Sequence, residues 1–159
     1  MKNIKGDLIA LALQGHFDAI VHGCNCQVTM GAGIALQIAN TFPAARYADE
    51  WYSRQMDRHN KLGTLIETTI NQYTDENSQT TMTQQFDVVN AYTQFQPGRN
   101  LDYDALQMCL HKVNHKYKGK RVGLPQIGCG IAGGDWNIVM QMIDKTLVDC
   151  DVTIVYFGK

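Results

Sequence analysis

The sequence predicts one α/β layered sandwich, on three observations. Short runs rich in β-branched and aromatic residues alternate with longer amphipathic stretches from end to end. No internal repeat or low-complexity linker interrupts the alternation. The 159 residues suit a single core, so residues 1–159 are read as one domain. In chain order the strands are Asn3 to Lys5, Ala19 to Gly23, Leu65 to Asn71, Phe86 to Thr93, Arg121 to Leu124 and Val152 to Phe157. Helices begin near Gly33, Pro43, Asp102 and Asp135, the last two with an Asp whose carboxylate can accept free backbone N–H groups. The polar run between Asn71 and Thr83 reads as a hairpin tip or surface loop.

Composition narrows the function classes. Apolar residues make up 45% of the chain, which separates it from disordered segments. Fourteen Lys plus Arg against fifteen Asp plus Glu leave a net charge of −1, so no broad positive field exists for non-specific nucleic-acid binding. Charged residues are only 18%, whereas ten Asn and thirteen Gln make the polarity largely neutral amide. No apolar run reaches membrane-spanning length, and the start, broken by Asp7, lacks a signal-peptide cleavage pattern. A soluble, cytoplasmic protein without a membrane partner is therefore expected. Five cysteines, an odd number, argue against a disulfide framework and fit a reducing compartment. Cys24 and Cys26 are separated by one residue and have no second Cys/His pair nearby, so no zinc site is expected.

Two neutral glycine loops carry the functional signal. From Ala19 to Ala45 the chain holds no Asp, Glu, Lys or Arg, yet includes His22, Asn25, Gln27 and Thr29 followed by Met30-Gly31-Ala32-Gly33-Ile34-Ala35. A strand leads through this turn into a helix, where free N–H groups and the helix dipole can hold an anion without a lysine. After the strand RVGLP, the stretch Gln126-Ile127-Gly128-Cys129-Gly130-Ile131-Ala132-Gly133-Gly134 repeats the chemistry, uncharged until Asp135. Both loops leave the carboxyl ends of strands, where open α/β sheets bind ligands, and together they suit a diphosphate. No Gly-Lys-Ser/Thr closes either loop, and GAGIA lacks the dinucleotide fingerprint, which disfavours a nucleoside triphosphatase.

GDL at positions 6 to 8, HGCNCQVTMGAGIA at 22 to 35 and PQIGCGIAGGDW at 125 to 136 resemble the macrodomain family over nearly the whole chain. They are most similar to the branch containing ADP-ribose 1″-phosphate phosphatases and ADP-ribosyl-glutamate hydrolases. The resemblance implies a three-layer α/β/α sandwich with a mixed six-stranded central sheet and ADP-ribose in a cleft at the strand ends. It assigns Asp7 to the adenine amino group, with the Leu8 backbone beside the ring. Asn25 and the stretch Gly31, Ala32, Gly33 and Ile34 would meet the distal ribose and its phosphate. Gly128, Cys129, Gly130, Ile131 and Ala132 would cradle the diphosphate. Tyr156 or Phe157 would pack on adenine; strand alternation sends only one of them there, and Tyr156 is the residue taken for the role.

For chemistry, the resemblance points to His22 as the base or nucleophile, three residues before Asn25. Asp135 either orients His22 or water, or only caps the following helix; Asp102 is a third acid with the same choice. The hydrolase branch uses a lysine nucleophile where this chain has Gln94 or Phe95, and a loop Asp where it has Ala132. An amide cannot form the Schiff base that such a lysine provides. Asn90, Thr93 and Gln94 would instead present a neutral donor surface near the reacting end. The leading expectation is a phosphatase acting on ADP-ribose 1″-phosphate, without metal or cofactor. The alternatives are a non-catalytic reader of ADP-ribose or of an ADP-ribosylated protein, and a hydrolase of ADP-ribosyl or O-acetyl esters.

Overall fold

A computed structural model describes residues 1–158. The elements run β1 (Lys2–Gly6), α1 (Leu8–Leu13), β2 (Ala19–Asn25), α2 (Gly33–Thr41), α3 (Pro43–Gln55), α4 (Arg58–Lys61), β3 (Leu65–Glu76), β4 (Gln79–Gln94), α5 (Tyr103–Lys116), β5 (Arg121–Leu124), α6 (Trp136–Thr146) and β6 (Asp151–Phe157). The strands form one sheet in the order β1-β6-β5-β2-β4-β3. Every neighbouring pair is parallel except β3 and β4, which are antiparallel. This is the expected mixed sheet. Among the described residues no helix is long and apolar enough to cross a membrane.

The sheet is covered on both faces, and β2 shows why. Its sequence AIVHGCN is almost continuously buried, as a central parallel strand must be when helices lie above and below it. Ala19 and Val21 face one core with Leu106, Leu110, Val139 and Ile143 from α5 and α6. Ile20 faces the opposite core with Leu8, Ile38 and Ala45 from α1, α2 and α3 and with Phe42 between α2 and α3. The period-two alternation of one strand thus divides the interior into two layers.

All six expected strands and the four expected helices are present; α1 and α4, of six and four residues, were not anticipated. A six-residue apolar run such as LIALAL has no periodicity that separates helix from strand. Of the two readings of the polar run after Asn71, the hairpin tip describes it, with the strands extending further into the run than expected. The β3–β4 ladder continues to Glu76 opposite Gln79, and Asn77 and Ser78, with φ of 51° and 65°, make the two-residue turn. This ribbon is polar because most of its residues lie exposed, beyond the packed layers.

One ion pair lies wholly inside. Lys61 Nζ donates to Asp49 Oδ1 at 3.0 Å and to Ser53 Oγ at 2.5 Å, with the Tyr92 ring 4.4 Å away. Tyr92 also donates its hydroxyl to Asp49 Oδ1 at 2.6 Å, and burial pushes its ionisation far upward. This network ties α3 and α4 to the end of β4. Asp49→Ala leaves a buried ammonium without its counter-charge and is expected to lower stability by about 3–5 kcal/mol, measured by urea unfolding.

Candidate functional site

Adjacent strands β2 and β5 run parallel, so the glycine loops that follow them emerge side by side. The helix after β2 packs on one face of the sheet and the helix after β5 on the other. The chain therefore parts between the two loops, as at the switch points where open α/β sheets bind ligands. A cleft of about 510 Å³ fills that parting. Both loops line it, through Gly31 to Ala35 and Gln126 to Ala132.

The glycines divide by physical cause. Gly128 has φ +75°, and a Cβ there would meet Leu101 Cδ1 at 2.8 Å; a Cβ on Gly134 would lie 2.6 Å from the Gly128 carbonyl oxygen. These two are required by the fold. Gly31 and Gly130 have neither positive φ nor any neighbour within 4 Å of an added Cβ, so the protein itself leaves room for a side chain there. Both line the cleft, and a side chain at either would enter the ligand space.

Donors are available along both walls. Among the described residues, the N–H groups of Gly130, Ile131 and Ala132 donate to no protein acceptor, leaving a short run of free amides in a loop that lines the cleft. The start of α2 likewise has no side-chain cap, since Ala32 holds the N-cap position.

Asp7, Leu8, Val155 and Phe157 form the end of the cleft beside β1 and β6. Asp7 accepts from Ala10 N at 3.0 Å and caps α1 while also lining the cleft. Tyr156 is a correction. Its ring meets Trp136 edge to face and its hydroxyl accepts from Trp136 Nε1 at 3.1 Å, outside the cleft lining. Alternation along β6 instead sends Val155 and Phe157 to the site, with Phe157 81% exposed and free to stack.

Asn25, Thr29, Thr93, Gln94, Pro97 and Gly98 form the other end, beside β2 and β4. Asn25 is engaged in its own turn: it donates to Thr29 O and Oγ1 at 3.1 and 2.9 Å and accepts from Gln27 N at 2.9 Å. That turn holds Val28 at φ 62°, a strained value for a β-branched residue. Gln94 donates to Gln96 O and Gly98 O at 2.8 and 3.0 Å, folding the loop after β4. Sequence reasoning missed Gly23 and Cys24 in the lining; a glycine inside a strand was the available signal of close approach.

His22 is the larger correction. It is fully buried and outside the cleft lining, with Nε2 2.7 Å from Asn90 Oδ1. Asn90, in turn, donates to Ala45 O at 3.0 Å, so it belongs to the interior rather than to a donor surface. Burial lowers the His22 pKa from 6.5 to about 4, although Asn90 and Asp49 oppose the shift. Cys24 Sγ lies 3.7 and 3.8 Å from the two imidazole nitrogens, and burial pushes its thiol ionisation well upward. No activated nucleophile results. Burial also raises the cleft-lining Cys129 thiol to about 11.

Asp135 caps α6 through Asn137 N at 2.9 Å, and Asp102 caps α5 through Ala105 N at 3.0 Å. Neither lines the cleft, so the capping alternative describes both. Among the described residues no group of three or more His, Cys, Asp or Glu side chains is arranged to hold a metal.

The mixed-sheet α/β/α sandwich with paired glycine loops at its switch point agrees with the comparison to protein families. The Macro domain family model matches residues 21–143, and the chain belongs to that family. An uncharacterized 17.5 kDa protein from Enterobacteria phage T4 is 35% identical, over 98% of this chain and 95% of its own length. A crystal structure of a Bacteroides thetaiotaomicron protein is 28% identical with a TM-score of 0.71, covering 98% of this chain and 99% of that one. Thermosipho africanus DarTG in complex with ADP-ribose aligns at 15% identity and a TM-score of 0.71, over 99% of this chain and 42% of that one.

The lowered His22 pKa makes a stability prediction. The unfolded chain binds the proton more readily than the folded chain between pH 6.5 and about 4, so the stability due to the neutral buried ring is complete above 6.5 and declines as pH falls through that window. The loss attributable to this residue is about 3 kcal/mol. Urea unfolding at pH 7 and pH 4.5 should show a smaller decline in His22→Gln than in the parent protein.

Proposed function

We propose that this macrodomain binds ADP-ribose, free or joined to a macromolecule, along the cleft. The supporting observation is the order of chemistry: an exposed aromatic ring and a carboxylate at one end, uncapped amides from two loops in the middle, and neutral oxygen and amide groups at the other. A nucleobase, a diphosphate and a second sugar occur in that order in ADP-ribose. Phe157 offers its face to adenine, and Asp7 retains a second carboxylate oxygen to accept from the exocyclic amine. Oriented amides hold the diphosphate in place of lysine or arginine.

Hydrolysis of ADP-ribose 1″-phosphate is a second reading, favoured by the uncapped start of α2. Its first residues, Gly33 to Ala35, line the cleft, and uncapped amides at a helix start suit a further oxyanion. His22 is withdrawn as its base by burial. In this reading water attacks the terminal phosphorus, the P–O1″ bond breaks, and a proton carried by the phosphate, whose second ionisation lies near pH 6, passes to the departing anomeric oxygen, giving ADP-ribose and inorganic phosphate. A rate profile inflecting near 6 and surviving His22→Gln fits it. An inflection near 4 that vanishes in the variant returns His22 to catalysis.

Titration calorimetry with ADP-ribose tests the principal reading. Gly31→Val and Gly130→Val are expected to keep the parental melting temperature while weakening binding at least about tenfold, because the added side chain meets ligand rather than protein. Parental affinity in both variants removes the ligand from the glycine loops.

A further inference from the structure

Beyond Ile70 and Phe86 the β3–β4 ribbon belongs to none of the apolar clusters of the interior. β2 pairs with β4 only from Asp87 onward, so Gln79 to Phe86 have β3 on one side and no strand on the other. β3 is itself an edge of the sheet. The outer ribbon therefore stands as two strands alone, an arrangement that is marginally stable in water. Its middle carries Tyr73 directly opposite Met82, 60% and 50% exposed, an apolar cross-strand pair on one face. Apart from a bulge at Gln72 and Tyr73, the edge is unguarded: Gln79 to Gln85 hold no charge and no proline.

The distribution of charge says what fits such a ribbon. Between Lys61 and Arg99 the charged residues are Glu67, Asp75, Glu76 and Asp87, all acidic. Between Asp104 and Asp135 they are Lys112, Lys116, Lys118, Lys120 and Arg121, all basic. Several are used within the molecule: Glu67 pairs with Lys116, Asp87 accepts from the Tyr117 hydroxyl, Lys112 donates to Gly63 O and Arg121 pairs with Asp18. Asp75 and Glu76 at the ribbon tip, and Lys118 and Lys120 in the turn before β5, are exposed and, among the described residues, have no ion-pair partner. Of the other acids beside that turn, Asp149 accepts from Asn114, which leaves two lysines against the one carboxylate of Asp151.

The tip projects past its own lysines. Asp87 and Val122 both lie level with Ala19, and the chain runs much further from Asp87 to Gln79 than from Val122 to Lys120, an offset of about 20 Å in extended strand. Two copies related by a two-fold axis, ribbons side by side and antiparallel, bring each tip level with the other copy's turn. We propose that the ribbon joins this chain to a second copy of itself. Each acidic tip docks on the partner's Lys118 and the partner's Lys120, and the two Tyr73–Met82 pairs pack across the axis. Exposed ion pairs are individually weak, so the apolar pairs supply the burial while the charges select the partner and the register. The cleft lies at the opposite ends of β2 and β4 and stays open in the dimer.

Sedimentation of the full chain tests the assignment. The parent is expected to be a dimer at low salt and to dissociate as salt screens the tips. Asp75→Lys with Glu76→Lys, and separately Lys118→Glu with Lys120→Glu, should each give a monomer with the parental melting temperature, because all four side chains are exposed. An equimolar mixture of these two variants should recover the dimer, since every docking contact again joins opposite charges. Tyr73→Thr with Met82→Thr should weaken association at least about tenfold. A parent that is monomeric at low salt, folded reversal variants that dimerise as the parent does, or a mixture that stays monomeric overturns the proposal.

Discussion

The site depends on one topological constraint: neighbouring parallel strands β2 and β5 send their helices to opposite faces of the sheet. Loops that turn the same way would pack together and close the space above the strand ends. Here they part, and each must begin a helix or tight turn with backbone donors still unused. The short parallel pairing at Ala19–Val122 and Ile20–Gly123 aligns the two exits. Leu101 then braces the second loop against the segment after β4, which is why Gly128 and Gly134 cannot carry side chains. The cleft is a consequence of chain routing, and its chemistry follows from the backbone.

That dependence on backbone explains the scarcity of charge. Among the described residues that line the cleft, Asp7 is the only carboxylate and none is Lys, Arg or His. A dipolar cradle binds a diphosphate with fewer mobile charges than a lysine cluster, so its affinity should owe less to long-range attraction. It also limits catalysis. The two thiols in the lining are held protonated by burial, and the imidazole behind them is held neutral near physiological pH. The site is consequently better furnished for recognition than for proton transfer by a side chain.

The sheet and the two loops were legible because they are written in local patterns. Strands such as AIVHG and VTIVYF have β-branched periodicity, and glycine loops without charge stand out in any composition scan. The side-chain assignments were less legible because each turned on a single step of alternation. Val155 and Phe157 share a face, so Tyr156 was assigned to the wrong side of β6. His22 lies in the same strand as the lining residues Gly23, Cys24 and Asn25, but its ring turns into the interior where Asn90 receives it. No local pattern signals that partner, 68 positions away. The buried Lys61–Asp49 pair is invisible for the same reason, since no local pattern joins Asp49 in α3 to Lys61 in α4.

Helix capping separates structural from ligand-directed polarity. Asp7, Asp102 and Asp135 each accept from the first turn of the helix they precede, which satisfies donors that would otherwise be free. The start of α2 has Ala32 in that position, with a neutral chain from Ala19 to Ala45 around it. An Asp there would satisfy the same amides and, besides, place a negative charge against any bound phosphate. The missing cap is therefore consistent with the missing charge: both keep the helix dipole unopposed where α2 opens beside the cleft. The two acids weighed for catalysis, Asp102 and Asp135, are caps of helices outside the cleft lining, and the helix that opens into the cleft has no side-chain cap.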